Sequence, residues 1–357
     1  RARGEKPKYD GRCRERREAR AGVDPVVRFR MPLDGITVVD DQVRGRVEFD
    51  NRELDDLIIA RSNGTPTYNL TVVVDDIDMA ITDVIRGDDH LNNTPKQINI
   101  YKAIGAKVPL FSHIPMILGP DGAKLSKRHG AASIMAYREQ GYLPEAVVNY
   151  LVRLGWSHGD QEIFSRADMV ELFDITDINH SASMLNPGKL DWINQHYIKA
   201  RSAAALVDEL GWQLQRLGVD AGTNRTWLAR IVTAQQERAR TMREMAENSR
   251  FFLVAPDSYE PKAAAKHLKP AAGTMLAKVR KNLQDLHAWE ANSIHALITE
   301  LAEREGVKLG KVAQPIRIAV SGGSVSPPID QTLAILGREE TLARLERASE
   351  WIAQQSP

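Results

Sequence analysis

Cysteine is nearly missing from this chain: Cys13 is the single one in 357 residues. One thiol excludes an internal disulfide framework and fits a reducing compartment. No run approaches eighteen apolar residues, so no membrane span is expected. An excess of one charge is missing too, with 48 Lys and Arg against 47 Asp and Glu and a net charge of +1. Any binding of a polyanion must therefore come from local patches and not from a global field. There is no repeat of fixed period and no low-complexity tract, which argues against solenoids and linker-like polymers. What remains is globular in composition, 43% hydrophobic and 27% charged. At this length roughly two to four compact units are expected.

The opening "RARGEKPKYDGRCRERREAR" starts at Arg1 and lacks the apolar stretch of a signal peptide. Residues 1–30 carry 11 Lys and Arg against 5 Asp and Glu, a balance that suits either a phosphate backbone or a solvated surface helix. The chain is expected to begin inside a larger protein.

From Pro25 to Ala60 short alternating segments, "VVRFRMP", "GITVVDD", "VRGRVEFD" and "LIIARSNG", read as strands of a small β-rich unit. In "PTYNLTVVVDDIDMAITDVIRGDDH" the β-branched run Leu70 to Val74 reads as a strand buried on both faces, and "DVIRG" as a second. "TPKQINIYKAIGA" has the spacing of a helix with Thr94 as N-cap and Pro95 in its first turn. "PLFSHIPMIL" reads as a third strand. This order predicts part of a doubly wound α/β sheet, whose ligands bind at the carboxyl ends of its strands. After Ser133 nearly everything is amphipathic helix, and "YEPKAAAKHLKPAAG" (Tyr259 to Gly273) reads as a join between two helical units. Trp156, Trp192 and Trp212 fall on apolar helical faces and are read as core.

The stretch "GPDGAKLSKRHGAAS" pairs a Pro-Asp-Gly turn with Lys124, Lys127, Arg128 and His129. A solvated basic loop is the plain reading; a loop that clamps phosphates is the sharper one, since cationic side chains stabilise charge that builds during nucleotidyl transfer. Asp75-Asp76, Arg86 to His90 and this loop are all expected at one sheet edge, which favours the second reading.

These residues resemble a known family. "KLSKR" (Lys124 to Arg128) is similar to the KMSKS-type loop of class I aminoacyl-tRNA synthetases. "PTYNLTVVVDD", "VIRGDDHLNNTPKQINIYKAIGA", "KLSKRHGAASIMAYREQGYLPEAVVNYLVRLGWSHGD", "NPGKLDWINQHYI" and "VAQPIRIAVSGGSVSPP" resemble, in order and over essentially the whole chain, the landmarks of bacterial glutamyl-tRNA synthetases.

That resemblance implies an α/β plus all-α protein. Its parts are the second half of a doubly wound, Rossmann-like catalytic domain with a small α+β insertion, a stem-contact region and an α-helical anticodon-binding domain. The expected boundaries are 1–66 for the acceptor-binding insertion, 67–120 for the catalytic half, 121–204 for the KMSKS-type loop and stem-contact helices, and 205–262 and 263–357 for two anticodon-binding units. It implies a glutamate–tRNA ligase with ATP, Mg²⁺, L-glutamate and tRNA(Glu) as partners, monomeric and cytoplasmic. Lys127, Lys124 and Arg128 are implied to be catalytic, with Lys127, Lys124, Asp89, His90 and Leu118 beside ATP. Tyr68 and Arg86 are implied to hold glutamate, where a planar guanidinium suits a carboxylate. For Arg86 the plain alternative is an ion pair with Asp75, Asp76 or Asp88, and for Tyr68 it is core packing. Asp88, Asp89 and His90 have the spacing of metal ligands, but capping or hydrogen-bonding roles fit them better. Arg317, Ser326, Pro327 and Ile329 match positions that meet the anticodon, the alternative being an interdomain loop.

No "HxGH" occurs, so the resemblance implies that the first half of the catalytic domain is missing and that the chain as it stands does not aminoacylate. No metal is expected; Cys13 is a weak zinc candidate because no His neighbours it. A non-catalytic tRNA-binding paralogue and a glutaminyl-type synthetase stand as alternatives.

Overall fold

A computed structural model describes residues 8–16, 18, 20–125 and 133–355. In chain order come β1 (Val27–Arg28), β2 (Ile36–Asp41), β3 (Gly45–Asp50), β4 (Ile58–Ala60), α1 (Tyr68–Asp78), β5 (Asp83–Gly87), α2 (Thr94–Ile104), β6 (Leu110–Ile114) and β7 (Ile117–Leu118). Next are α3 (Ile134–Glu139), α4 (Pro144–Gly155), α5 (Arg166–Leu172), β8 (Ser183–Met184), α6 (Pro187–Ala200), α7 (Ala203–Arg216), α8 (Arg225–Gln235) and α9 (Met242–Leu253). The chain ends with α10 (Pro261–His267), α11 (Pro270–Gln284), α12 (Ala291–Arg304), α13 (Leu309–Ser321), α14 (Ile329–Leu336) and α15 (Arg338–Gln355). The described residues divide into two compact units, 8–125 with 151–186, and 133–150 with 187–355.

The first unit is built on a sheet of order β3-β2-β6-β5, in which β2 and β3 are antiparallel while β6 runs parallel to both β2 and β5. The parallel strands confirm the expected α/β class. The hairpin β2–β3, expected in a small β-rich unit from Pro25 to Ala60, pairs through β2 with β6 and so extends this sheet. Its core is Val39, Val73, Ile98, Ile100, Tyr101 and Phe111.

Leu70 to Val74 was expected as a strand and is instead helical, inside α1. Only one stripe of that run packs inward, with Leu70, Val73 and Ile77 against the core while Val74 is exposed. Spacings of three and four fit a helix, and a short apolar run cannot by itself separate the two periods. Asp75 and Asp76 consequently sit on the last turns of α1 and not at a strand end; Asp76 accepts from the Tyr101 hydroxyl at 2.8 Å. β5 is a strand as expected, but at the sheet edge, with Ile85 exposed rather than buried. "PLFSHIPMIL" is two strands and not one: Pro115 has no N–H to donate, β6 stops before it, and β7 joins β8 in another sheet. α2 is found where expected, with Pro95 in its first turn, yet the Thr94 side chain does not cap it.

The second unit is helical in all its described regular elements. Leu276, Val279 and Leu283 of α11, Ile294 and Ile298 of α12, Ile316 of α13 and Leu345 and Ala348 of α15 form one apolar core. The buried Arg344 of α15 donates to the Phe251 carbonyl at 2.7 Å and the Val320 carbonyl at 2.5 Å. It thereby satisfies carbonyls at the ends of α9 and α13 that lack a helical partner. The expected core position holds for Trp156, which is buried. Trp212 is half-buried between Arg138 and Arg216, with guanidinium carbons 4.5 and 5.0 Å from its ring centre. Trp192 departs from the expectation: it is 48% exposed, with the Lys189 ammonium 4.6 Å above its ring.

Candidate functional site

The carboxyl end of β5 delivers Arg86 and Gly87 into a short 3₁₀ turn, Asp88–Asn93. Arg86 is half-buried, and its guanidinium is engaged on one edge only. Nε donates to His113 Nε2 at 3.2 Å; Nη2 donates to Thr94 Oγ1 and Gln97 Oε1, both at 2.8 Å. Its carbon lies 5.5 Å from the centre of the Phe111 ring. Nη1 has no protein partner among the described residues.

No carboxylate pairs with Arg86 among the described residues. Each acid offered as its ion-pair partner is otherwise placed: Asp88 pairs with Arg44, Asp76 takes the Tyr101 hydroxyl, and Asp75 is exposed near the end of α1. Burial lowers the Arg86 pKa, with the surrounding Tyr68, Asp76, Tyr101 and Asp41 countering it. The charge is therefore held by neutral dipoles, with one nitrogen left to meet an anion.

His113 and Asp41 behind it are fully buried, and His113 Nδ1 lies 2.5 Å from Asp41 Oδ2. Burial lowers the His113 pKa against the pull of Asp41, which keeps the ring neutral. Burial would raise the Asp41 carboxyl, but hydrogen bonds from the N–H groups of Arg44, His113 and Val43 and from the His113 ring hold it below its usual range.

Tyr68 is 51% exposed, which excludes core packing, and its hydroxyl lies 3.3 Å from His90 Nδ1. Asp89 and Lys124, both expected beside ATP, are brought together: Lys124 Nζ donates to Asp89 Oδ2 at 3.0 Å and lowers the Asp89 pKa. Gly87 makes room for this pair, since a Cβ there would lie 2.7 Å from Asp89 Oδ1. Lys124 follows the expected tight turn, in which Asp121 accepts from the Ala123 N–H at 3.0 Å, and it bridges to Leu118 of β7. Lys127 and Arg128 lie outside the described residues.

Among the described residues no group of three or more His, Cys, Asp and Glu side chains is placed to hold a metal. Cys13 is an exposed free thiol whose N–H donates to the Tyr9 hydroxyl at 2.8 Å. Nearby, a cleft of about 630 Å³ is lined by Arg12, Arg14, Arg16, Arg20, Arg28 and Arg30 together with the carboxylates Glu18, Asp24 and Asp56, the last paired with Arg14.

In the helical unit, Arg317 Nε donates to Ser326 Oγ at 2.9 Å, and Arg238 Nη1 donates to the Ser326 carbonyl at 2.9 Å. Ser326, Pro327 and Ile329 are buried, and Ser326 holds Arg317 through its hydroxyl. Arg317 borders a cavity of about 360 Å³ with His295, Gln314 and Asp330. Burial, then the neighbouring Arg238, lowers its pKa.

Sequence reasoning missed Asp41, His113, Gln97 and the actual role of Thr94. Asp41 and His113 lie 72 positions apart, and nothing local links them.

Two family models match the chain: tRNA synthetases class I (E and Q), catalytic domain, over residues 1–192, and an anticodon binding domain over residues 201–349. Glutamate–tRNA ligase 1 of Alkalilimnicola ehrlichii is 59% identical over 99% of this chain and 75% of its own length. Glutamate–tRNA ligase 2 of Halorhodospira halophila is 55% identical over the same shares. A crystal structure of a glutamate tRNA ligase from Elizabethkingia meningosepticum CCUG26117, in complex with its amino acid, superposes with a TM-score of 0.79 at 32% identity, covering 92% of this chain and 68% of that one. With two family models in register and relatives matched along nearly its whole length, the chain belongs to the glutamate–tRNA ligase family of class I tRNA synthetases.

Proposed function

We propose that this chain works in a glutamate–tRNA ligase, which activates glutamate with ATP to glutamyl-adenylate and transfers it to the 3′ end of tRNA(Glu). The observation that carries this reading is Arg86, a half-buried cation with neutral partners on one edge and a free Nη1 on the other. A carboxylate is the ligand such a group takes, and Tyr68 stands exposed at the start of α1 to close over it.

ATP would lie along Asp89, His90, Leu118 and Lys124, with Mg²⁺ carried on its phosphates. Attack by the glutamate carboxylate oxygen on the α-phosphorus expels pyrophosphate, so negative charge grows on both phosphoryl groups. Lys127, assisted by Lys124 and Arg128, would neutralise it, and Lys127→Ala should cost about 3 kcal/mol, about a hundredfold in rate.

Arg317 and Arg238, two cations without carboxylate partners among the described residues, suit an anticodon loop, and the Arg-lined cleft near Cys13 suits the acceptor end. The functional division at residues 66, 120, 204 and 262 is retained as part of this proposal. We place the enzyme in the cytoplasm as a monomer; no described helix is long and apolar enough to cross a membrane.

The test is ATP–pyrophosphate exchange by the complete product of the gene encoding this sequence, with total tRNA and a panel of glutamate, glutamine and aspartate. Exchange with glutamate alone, reduced about a hundredfold by Lys127→Ala, is expected. No exchange with any of the three, while tRNA still binds, would overturn the enzymatic reading and favour a tRNA-binding paralogue.

A further inference from the structure

We propose that His113, locked by Asp41, is a positioning residue that aims Arg86 at the amino-acid carboxylate; this rests on the reading of Arg86 given above. The argument is one of donors and acceptors. Arg86 Nε–H can only donate, so His113 Nε2, 3.2 Å away, must be an unprotonated acceptor. The ring proton is then on Nδ1, where it donates to Asp41 Oδ2 at 2.5 Å.

Thr94 closes the circuit. Its hydroxyl accepts from Arg86 Nη2 at 2.8 Å and shares its one hydrogen between His113 Nε2 at 3.0 Å and the His90 carbonyl at 3.5 Å. Gln97 takes the second Nη2 hydrogen at 2.8 Å, and its own amide nitrogen donates to Asn69 Oδ1 at 3.2 Å. The Arg86 Nε contact, in which the guanidinium can only donate, is made only while His113 keeps its proton on Nδ1. The Nε and Nη2 edge is thus consumed by protein, and the carboxylate is directed to Nη1.

Asp41 is what selects that tautomer. It is fixed by backbone N–H groups of Val43 at 3.0 Å, Arg44 at 2.8 Å and His113 at 3.1 Å, so its second oxygen meets the imidazole in one orientation. In Asp41→Asn the amide can offer N–H to Nδ1, which moves the ring proton to Nε2 and faces it against Arg86 Nε–H. Two donors at that distance repel, and the guanidinium must turn away. The logic is that of a buried carboxylate fixing a histidine tautomer in hydrolytic triads, applied here to orientation and not to proton transfer.

The test has two parts, both on the complete gene product. Long-range ¹H–¹⁵N spectra of the unmodified protein should report His113 protonated on Nδ1; an Nε2–H tautomer or a charged ring would overturn the proposal whatever the variants do. In pyrophosphate exchange, Asp41→Asn and His113→Phe should raise KM for glutamate by about 10- to 100-fold while KM for ATP stays within about twofold. A merely structural role would move both constants, or lower only the active fraction, and that result would contradict positioning. Arg86→Gln separates the two layers. If it abolishes glutamate dependence while Asp41→Asn and His113→Phe do not change KM for glutamate, the relay is wrong and the reading of Arg86 stands. If Arg86→Gln retains the normal KM, both fall.

Discussion

Replacing Gly141 by alanine should unfold the helical unit far more readily than a glycine replacement of equal backbone strain elsewhere. Gly141 joins α3 to α4 with φ of +87°, and a Cβ built on it lies 2.2 Å from the Arg243 backbone nitrogen and 2.9 Å from that of Met242. Its carbonyl accepts from the Met242 N–H at 2.8 Å, which docks the linker on the first turn of α9. The left-handed φ alone costs a non-glycine residue about 1–2 kcal/mol. The clash is with main chain, so α9 must shift, losing that hydrogen bond for about 1 kcal/mol and disturbing the buried Met242 and Met245 for about 1–2 kcal/mol more. The sum is about 3–5 kcal/mol, or roughly 6–20 °C in the melting temperature of a unit this size. Gly218, with φ of +73° and nothing within 4 Å of its Cβ, serves as the control and should lose only the first contribution. Urea denaturation followed by circular dichroism reads both. If Gly141→Ala is no worse than Gly218→Ala, the close approach to α9 is not what holds this linker.

Two further expectations come from the described side chains. The folded state resists protonating His113, whose pKa lies below its ordinary 6.5, so the unfolded chain binds the extra proton. Stability from this group is therefore complete above that value and is lost as pH falls through it toward the folded one. Urea midpoints should decline from pH 7 to pH 5, and His113→Phe should flatten that slope; an unchanged slope would remove His113 from the account. In the helical unit, Arg317→Ala should weaken tRNA binding by roughly 10- to 100-fold, and Ser326→Ala, which frees the Arg317 guanidinium and also removes the hydroxyl's bonds to the Pro327 carbonyl and Thr332, by a few-fold. Filter binding with unmodified tRNA(Glu) measures both, and equal losses would show that Ser326 meets RNA directly.

The parts of the molecule readable in the sequence were those carried by local chemistry. Pro95 with its following apolar spacing announced α2, Pro120-Asp121-Gly122 announced the turn before Lys124, and the change to helical spacing after Ser133 announced the second unit. The misreadings arose where the deciding partner is distant. Leu70 to Val74 has strand composition, and only packing against the sheet, which buries one stripe and leaves Val74 in water, makes it a helix. Thr94 has the composition of a cap, yet its hydroxyl is taken by Arg86 and His113. The part of Arg86 as a carboxylate receiver came from the family resemblance and not from its local sequence, since β5 lies at the sheet edge. Which of its nitrogens is free was not legible, since that depends on His113 from a neighbouring strand and Asp41 behind it.

The most direct test of the central claim is a crystal structure of the complete gene product with L-glutamate bound. A carboxylate oxygen within hydrogen-bond reach of Arg86 Nη1, with Nε still on His113 and Nη2 on Thr94 and Gln97, is the predicted result. Glutamate bound away from Arg86, or Arg86 turned to pair with a protein carboxylate, would contradict it.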